Sequence, residues 1–149
     1  MKEDTKFIRE AINEAKKALK KGEVPVGAVV VLNDKIIARG HNESITSNDP
    51  TAHAEIVALR KSAKILKNYR LKGAKIYVTI EPCPMCAGAM LWARVSGIVY
   101  GAKDKKAGAC GSALNIVNGR KFNHKIRVIG GVLEKECREI MQKFFKKRR

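Results

Sequence analysis

Two short stretches concentrate the groups able to do chemistry: His53-Ala54-Glu55 and Pro82-Cys83-Pro84-Met85-Cys86. Taken alone, Cys83-x-x-Cys86 is a metal half-site, a redox pair or a coincidence. The chain lacks the flanking pattern of a thioredoxin-like redox site. Cys83-Pro84 reads as a helix cap followed by an N1 proline. Both sulfurs then fall in a first turn, where unpaired N–H groups and the helix dipole favour thiolates. A structural zinc site needs four protein ligands, usually from a second Cys or His pair. Cys110, Cys137, His41 and His124 are instead scattered singles. A catalytic zinc needs three ligands and an open position for water, and His53 supplies the third. Glu55 lies too close to His53 in sequence to be a routine fourth ligand, and is placed to move a proton at that water. Singly, a His at a helix start is more often a surface or capping residue. A lone Glu in a first turn more often just complements the dipole. Their joint occurrence is what favours a site.

The elements that must position these groups follow from pattern. Residues 3–21 predict an amphipathic helix, with Phe7, Ile8, Ala11, Ile12, Ala15 and Leu19 on one face and Gly22 ending it. Val24–Leu32 predicts a buried strand, turned at Asn33-Asp34 into a hairpin partner over Lys35–Arg39. His41–Thr51 is loop-like. Asp49-Pro50 predicts the start of a helix running to about Leu66. Ala74–Ile80 reads as a strand, Cys83 to about Arg94 as a helix, and Ser96–Tyr100 as a short strand. Lys103–Ser112 is a Gly- and Lys-rich loop, Lys125–Ile129 a strand, and Glu134 to about Lys147 a final helix. This order implies a layered α/β domain, 1–149, with a mostly parallel sheet after the hairpin.

Bulk composition adds a partner class. The 149 residues carry 31 Lys and Arg against 14 Asp and Glu, a formal charge of +17. Such a surplus suits a polyanion, because basic side chains displace counterions from phosphates. Lys103, Lys105 and Lys106 crowd one loop; Lys143, Lys146, Lys147, Arg148 and Arg149 crowd the tail. Phe144 fits the apolar face of the last helix, leaving Phe145 as the candidate to pack against a nucleic-acid base. Cys110 and Cys137 read as small core residues. No apolar run is long enough to span a membrane, and no secretory signal or transit peptide is evident. A reducing cytoplasm is the expected compartment.

His-x-Glu with Pro-Cys-x-x-Cys is the signature of the zinc deaminases. The likeness extends through Asn48-Asp49-Pro50-Thr51-Ala52-His53-Ala54-Glu55, Asn68-Tyr69-Arg70-Leu71 and Tyr77-Val78-Thr79-Ile80-Glu81-Pro82-Cys83. It continues in Gly101-Ala102-Lys103-Asp104, Gly108-Ala109-Cys110-Gly111-Ser112, Asn123-His124, Gly131-Val132-Leu133-Glu134, Phe144-Phe145 and Arg148-Arg149. Over nearly its whole length the chain resembles the bacterial tRNA adenosine deaminase family. Pro84 stands where relatives often carry Val. The resemblance implies a three-layer α/β/α fold around a five-stranded mixed sheet, one zinc ion per subunit, and a homodimer. It implies conversion of adenosine to inosine at the wobble position of a tRNA anticodon stem-loop. By matching position, Glu55 is catalytic, and His53, Cys83 and Cys86 are ligands. Asn42 binds the purine, Ala54 offers its backbone N–H to the base, and Asp104 and Asn123 contact the substrate strand. Phe145 and Arg149 complete the RNA-binding set. Two other readings are weighed against this one. A deaminase of free guanine, cytosine or cytidine keeps the zinc site but has no need of the basic tail. A non-enzymatic zinc-stabilised RNA-binding module needs a fourth protein ligand and has no use for Glu55.

Overall fold

A computed structural model describes residues 2–118 and 124–147. Its elements are α1 (Lys2–Lys20), β1 (Gly27–Leu32), β2 (Lys35–His41), α2 (Ala54–Leu66), β3 (Lys75–Ile80), α3 (Pro84–Ala93), β4 (Gly97–Ala102), β5 (Arg127–Ile129) and α4 (Glu134–Lys147). The five strands form one sheet in the order β2-β1-β3-β4-β5. β1 runs antiparallel to both β2 and β3, whereas β3, β4 and β5 are parallel. The sheet is mixed, as the family resemblance implies. The sequence pattern alone suggests a mostly parallel sheet, because strand period reveals a buried strand but not which neighbour it pairs with.

Alternation along the strands sends side chains to two cores. Ala28, Val30, Ile76, Val78, Ile98 and Tyr100 pack with α2 and α3. Val29, Val31, Tyr77 and Val99 pack with Phe7, Ile8 and Ile12 of α1 and Cys137 of α4. The result is helix, sheet, helix. Asn33 and Asp34 both adopt left-handed backbone (φ 52° and 63°), the geometry of a two-residue hairpin turn whose twist matches the strands. At Gly40 of β2 a Cβ would collide with the backbone of Ala54 and Ala58. Glycine there lets the start of α2 sit directly on the sheet. Among the described residues no helix is long and apolar enough to cross a membrane.

β2 and β4 run two residues further than expected, to His41 and Ala102, and β5 starts two residues later, at Arg127; two other starts differ for identifiable reasons. β1 starts at Gly27 rather than Val24, since Pro25 has no N–H to give a ladder. α2 starts at Ala54 rather than at Asp49-Pro50. Asp49 Oδ1 instead accepts from the N–H and hydroxyl of Thr51 (2.9 and 2.7 Å), closing a local turn. α2 and α3 each end on a basic residue in left-handed conformation, Lys67 (φ 53°) and Arg94 (φ 58°). Their N–H groups return to Ala63 O and to Leu91 O and Met90 O.

Candidate active site

Two helix starts meet at one corner. His53 is the N-cap of α2 and Cys83 the N-cap of α3, both with extended backbone and neither using its side chain to cap. Their side chains are therefore free to turn toward each other. Pro84 occupies the first position of α3, which places Cys86 in the same first turn as the cap. His53 Nδ1 lies 3.6 Å from Cys83 Sγ and 3.6 Å from Cys86 Sγ. One ligand atom from each residue lies within 4.8 Å of the others.

These separations fit a metal ion. Zinc bonds of about 2.0 Å to nitrogen and 2.3 Å to sulfur, opened to a tetrahedral angle, set N and S about 3.6 Å apart. One nitrogen and two soft sulfurs also suit zinc over hard cations. The thiols are poised for it. The hydrogen bond from Cys86, opposed by burial and supported by His53, brings the Cys83 thiol down to about 4. The same sharing of one proton pushes the Cys86 thiol upward. A hydrogen bond to Cys83 raises His53 despite its burial. The pair thus holds one thiolate unaided, and a dication would draw off the second proton.

Glu55 is in the first turn of α2, 4% exposed, on the core side of the corner. Burial pushes its carboxyl up to about 7, with the Cys83 charge adding and His53 opposing. A dication would pull it back down by charge. Burial and a bound ion thus act in opposite directions on one carboxyl placed to move protons. Asn42, also buried, accepts from the Ala54 N–H through Oδ1 at 2.8 Å. This fixes the amide orientation and leaves Nδ2 as its free donor. The Ala54 N–H is thus already engaged, so Ala54 reaches a base only by sharing that donor.

The other expected contacts lie along the loop after β4. Asp104 and Phe145 line one cleft of about 1060 Å³ with Lys103, Lys105, Lys106 and Arg138. Phe145 is 50% exposed and meets buried Phe144 edge-on, with centroids 5.3 Å apart. Asp104 Oδ1 accepts from the N–H groups of Lys106 and Ala107, both at 3.0 Å. An acid in this basic loop therefore has a local task, capping the turn, and keeps its second oxygen for other partners. Asn123, Arg148 and Arg149 lie outside the described residues.

The remaining single His and Cys residues have other surroundings. His41 sits between Glu14 and Lys21, at 3.3 and 3.0 Å, and His124 Nε2 lies 2.7 Å from the Val95 carbonyl. Burial raises the thiols of Cys110 and Cys137 to about 12, which agrees with their reading as packing residues. Besides Glu55, three acids are buried among the described residues: Glu14, which meets Lys17 (2.6 Å) and His41 (3.3 Å), and two to which the sequence reading assigns no role. Glu23 accepts from the N–H groups of Ile45 and Thr46 (3.1 and 2.6 Å), tying down the loop that leads to His53. Glu81 binds the loop after β4. Its one sequence signal is a carboxylate closing a buried apolar strand immediately before Pro82-Cys83.

The chain is similar to known deaminases along nearly its whole length. The family model of the MafB19-like deaminases matches residues 2–149. The tRNA-specific adenosine deaminase of Bacillus subtilis (strain 168) is 48% identical over 149 residues, covering 100% of this chain and 92% of that protein. That of Haemophilus influenzae (strain ATCC 51907 / DSM 11121 / KW20 / Rd) is 50% identical over 147 residues, covering 98% and 85%. A solved structure from a study of A-to-I editing by tRNA:A34 deaminases at the wobble position superposes with a TM-score of 0.88. It is 43% identical and covers 91% of this chain and 99% of its own.

Proposed function

We infer the reaction from membership: this chain belongs to the family of the tRNA-specific adenosine deaminases. It hydrolyses the C6–N bond of adenosine at the wobble position of a tRNA anticodon, giving inosine and ammonia. The observation that carries the chemistry is the meeting of one imidazole nitrogen with two thiol sulfurs, each at a separation that fits a tetrahedral metal, with a buried carboxyl two residues from the imidazole.

His53, Cys83 and Cys86 would hold one zinc ion, which supplies Lewis acidity that lets water ionise near neutral pH. Glu55 moves the protons. It takes one from the attacking water and delivers it to ring N1, making C6 electrophilic. Once oxygen has added to C6, Glu55 takes the second water proton from that oxygen and passes it to the amino group, which leaves as ammonia as the C6 carbonyl forms. Asn42, aligned by Ala54, presents Nδ2 to an acceptor on the purine edge. The base must leave its stack to reach so buried a carboxyl, which suits a loop rather than a duplex. Asp104 and Phe145 in the lysine-rimmed cleft, together with Asn123 and Arg149, contact the strand on either side. A single deaminase domain spanning 1–149, a homodimer and a cytoplasmic workplace complete this reading; the last is supported by four unpaired cysteines.

The test is to incubate zinc-loaded protein with an anticodon stem-loop and sequence it for inosine, with free adenosine, guanine and cytosine alongside. Inosine confined to the wobble position is expected. Turnover of free bases with an untouched stem-loop would replace this reading with that of a small-molecule deaminase.

A further inference from the structure

Glu81 ends β3 and is 3% exposed. Among the described residues no Lys or Arg forms an ion pair with it. Its partners are instead four donors drawn from one segment. Oε1 accepts from the Asp104 N–H (3.2 Å) and the Ser112 hydroxyl (2.5 Å). Oε2 accepts from the N–H groups of Cys110 (3.0 Å) and Ser112 (3.1 Å). The backbone of Glu81 joins in, its N–H donating to Ala102 O at 2.9 Å. Gly108 lies flat against the carboxylate, and a Cβ there would strike both Glu81 and Asp104 O. A further tie runs from Ala109 N–H to Pro82 O at 2.8 Å.

The segment so gathered, Lys103–Ser112, carries three lysines that repel one another and little apolar side chain to bury. Without the carboxylate it would have few reasons to take one shape. Glu81 is also two residues from Cys83. One side chain thus connects the loop that lines the basic cleft with the strand end that launches the metal-binding helix. We propose that Glu81 is a positioning residue, which fixes the register between the RNA-facing loop and the metal corner and thereby sets affinity for the substrate strand. The proposal rests on the RNA-deaminase reading for its substrate, though not for its geometry.

Glu81→Gln tests it. The amide keeps the shape but replaces one acceptor with a donor aimed at N–H groups, so at least one side of the four-donor grip must open. Zinc content and kcat should stay within about threefold of the parent, because the ligands and Glu55 are untouched. KM for the stem-loop should rise about tenfold, the scale of one lost charged hydrogen bond. Hydrogen exchange at the amides of Asp104, Cys110 and Ser112 should speed up while that of the β3 core stays slow. Ser112→Ala, which removes a single hydroxyl and leaves the fold intact, should move KM and exchange the same way by a smaller factor. Adding it to Glu81→Gln should give less than the product of the two effects.

Unchanged KM and unchanged exchange in both variants would overturn the proposal. So would a loss of zinc in Glu81→Gln with KM unaltered, since Glu81 would then serve the ligands and not the loop. Should the unsubstituted protein leave the stem-loop untouched, the RNA-deaminase reading fails by itself, and exchange at the three amides still decides whether Glu81 holds the loop.

Discussion

The metal corner and the lysine loop stand at the carboxyl ends of neighbouring strands, β3 and β4, yet they are held by different physics. The corner is built from helix starts pressed into the core. Cys86 is fully buried and Glu55 nearly so, and the ligands' positions follow from two helix N-caps and a proline. The loop exposes Lys103, Lys105 and Lys106 and is gathered mainly by backbone N–H groups around one buried carboxylate. Chemistry is placed on rigid elements, where an error of a fraction of an ångström is costly. On the proposed function, recognition of a flexible strand falls to a loop, where many individually weak interactions add up. Substitutions in the corner should therefore act all-or-none, and those around the loop by degrees.

The largest effect is expected at Cys86. Cys86→Ala leaves two ligands, too few to retain zinc. Metal analysis should find most zinc gone and turnover undetectable, while the core, large enough to stand without metal, keeps circular dichroism near that of the parent. Normal turnover in this variant would break the ligand assignment.

Glu55→Ala should come next and separate binding from chemistry. Zinc content and stem-loop affinity should persist, and the single-turnover rate should fall by about 10²–10⁴-fold, the usual worth of a general acid–base. If Glu55 only complemented the α2 dipole, its loss would cost about 0.3–1 kcal/mol of stability and leave the rate alone. Melting temperature, zinc content and rate measured on one preparation distinguish the two.

Asn42→Ala, against the start of α2, should show an intermediate effect. It leaves the Ala54 N–H without its partner and the purine edge without a donor, costing on the order of 1–3 kcal/mol in kcat/KM. The loss should be larger for adenine than for a purine analogue lacking the ring acceptor that Asn42 meets. Equal losses on both would confine Asn42 to supporting Ala54.

The smallest effect is expected from Lys105→Ala combined with Lys106→Ala. Affinity for the stem-loop should weaken, and the slope of log affinity against log salt should flatten by about 0.7 for each phosphate no longer neutralised. The rate at saturation should hold. An unaltered slope would make these lysines a solvated rim and transfer the recognition role to the tail.

Much of this contrast was legible in the sequence. His53, Cys83 and Cys86 meet at one corner with Glu55 beside them, as the sequence predicts, and α3 and α4 fall where cap, proline and apolar period put them. Those signals are local, so a linear reading finds them. Asp49-Pro50 misled because a capping acid looks the same whether it serves a helix or, as here, the Thr51 turn. The antiparallel β1–β3 pairing is a long-range choice with no local marker. Glu23 and Glu81 carry no local marker for a related reason. All of their partners but the Ser112 hydroxyl are main-chain N–H groups 22 to 31 residues away, and every residue type but proline offers such a donor. A buried acid satisfied by backbone leaves no signature in the side chains it binds.

The left-handed ends of α2 and α3 bear on how durable the molecule is. Both helices that carry the ligands stop on a long cation where glycine is the ordinary choice, Lys67 and Arg94. A left-handed backbone costs a non-glycine residue roughly 1–2 kcal/mol, while a cation near a helix C-terminus recovers about 0.3–1 kcal/mol. The first term exceeds the second, so glycine at either position should gain up to about 1 kcal/mol and raise the melting temperature by roughly 2–4 °C. These are the far ends of the same helices that hold the metal corner at their starts. The protein thus carries a reserve of heat tolerance, spatially separate from its chemistry, that thermal selection or an engineer could draw on without altering which base is deaminated.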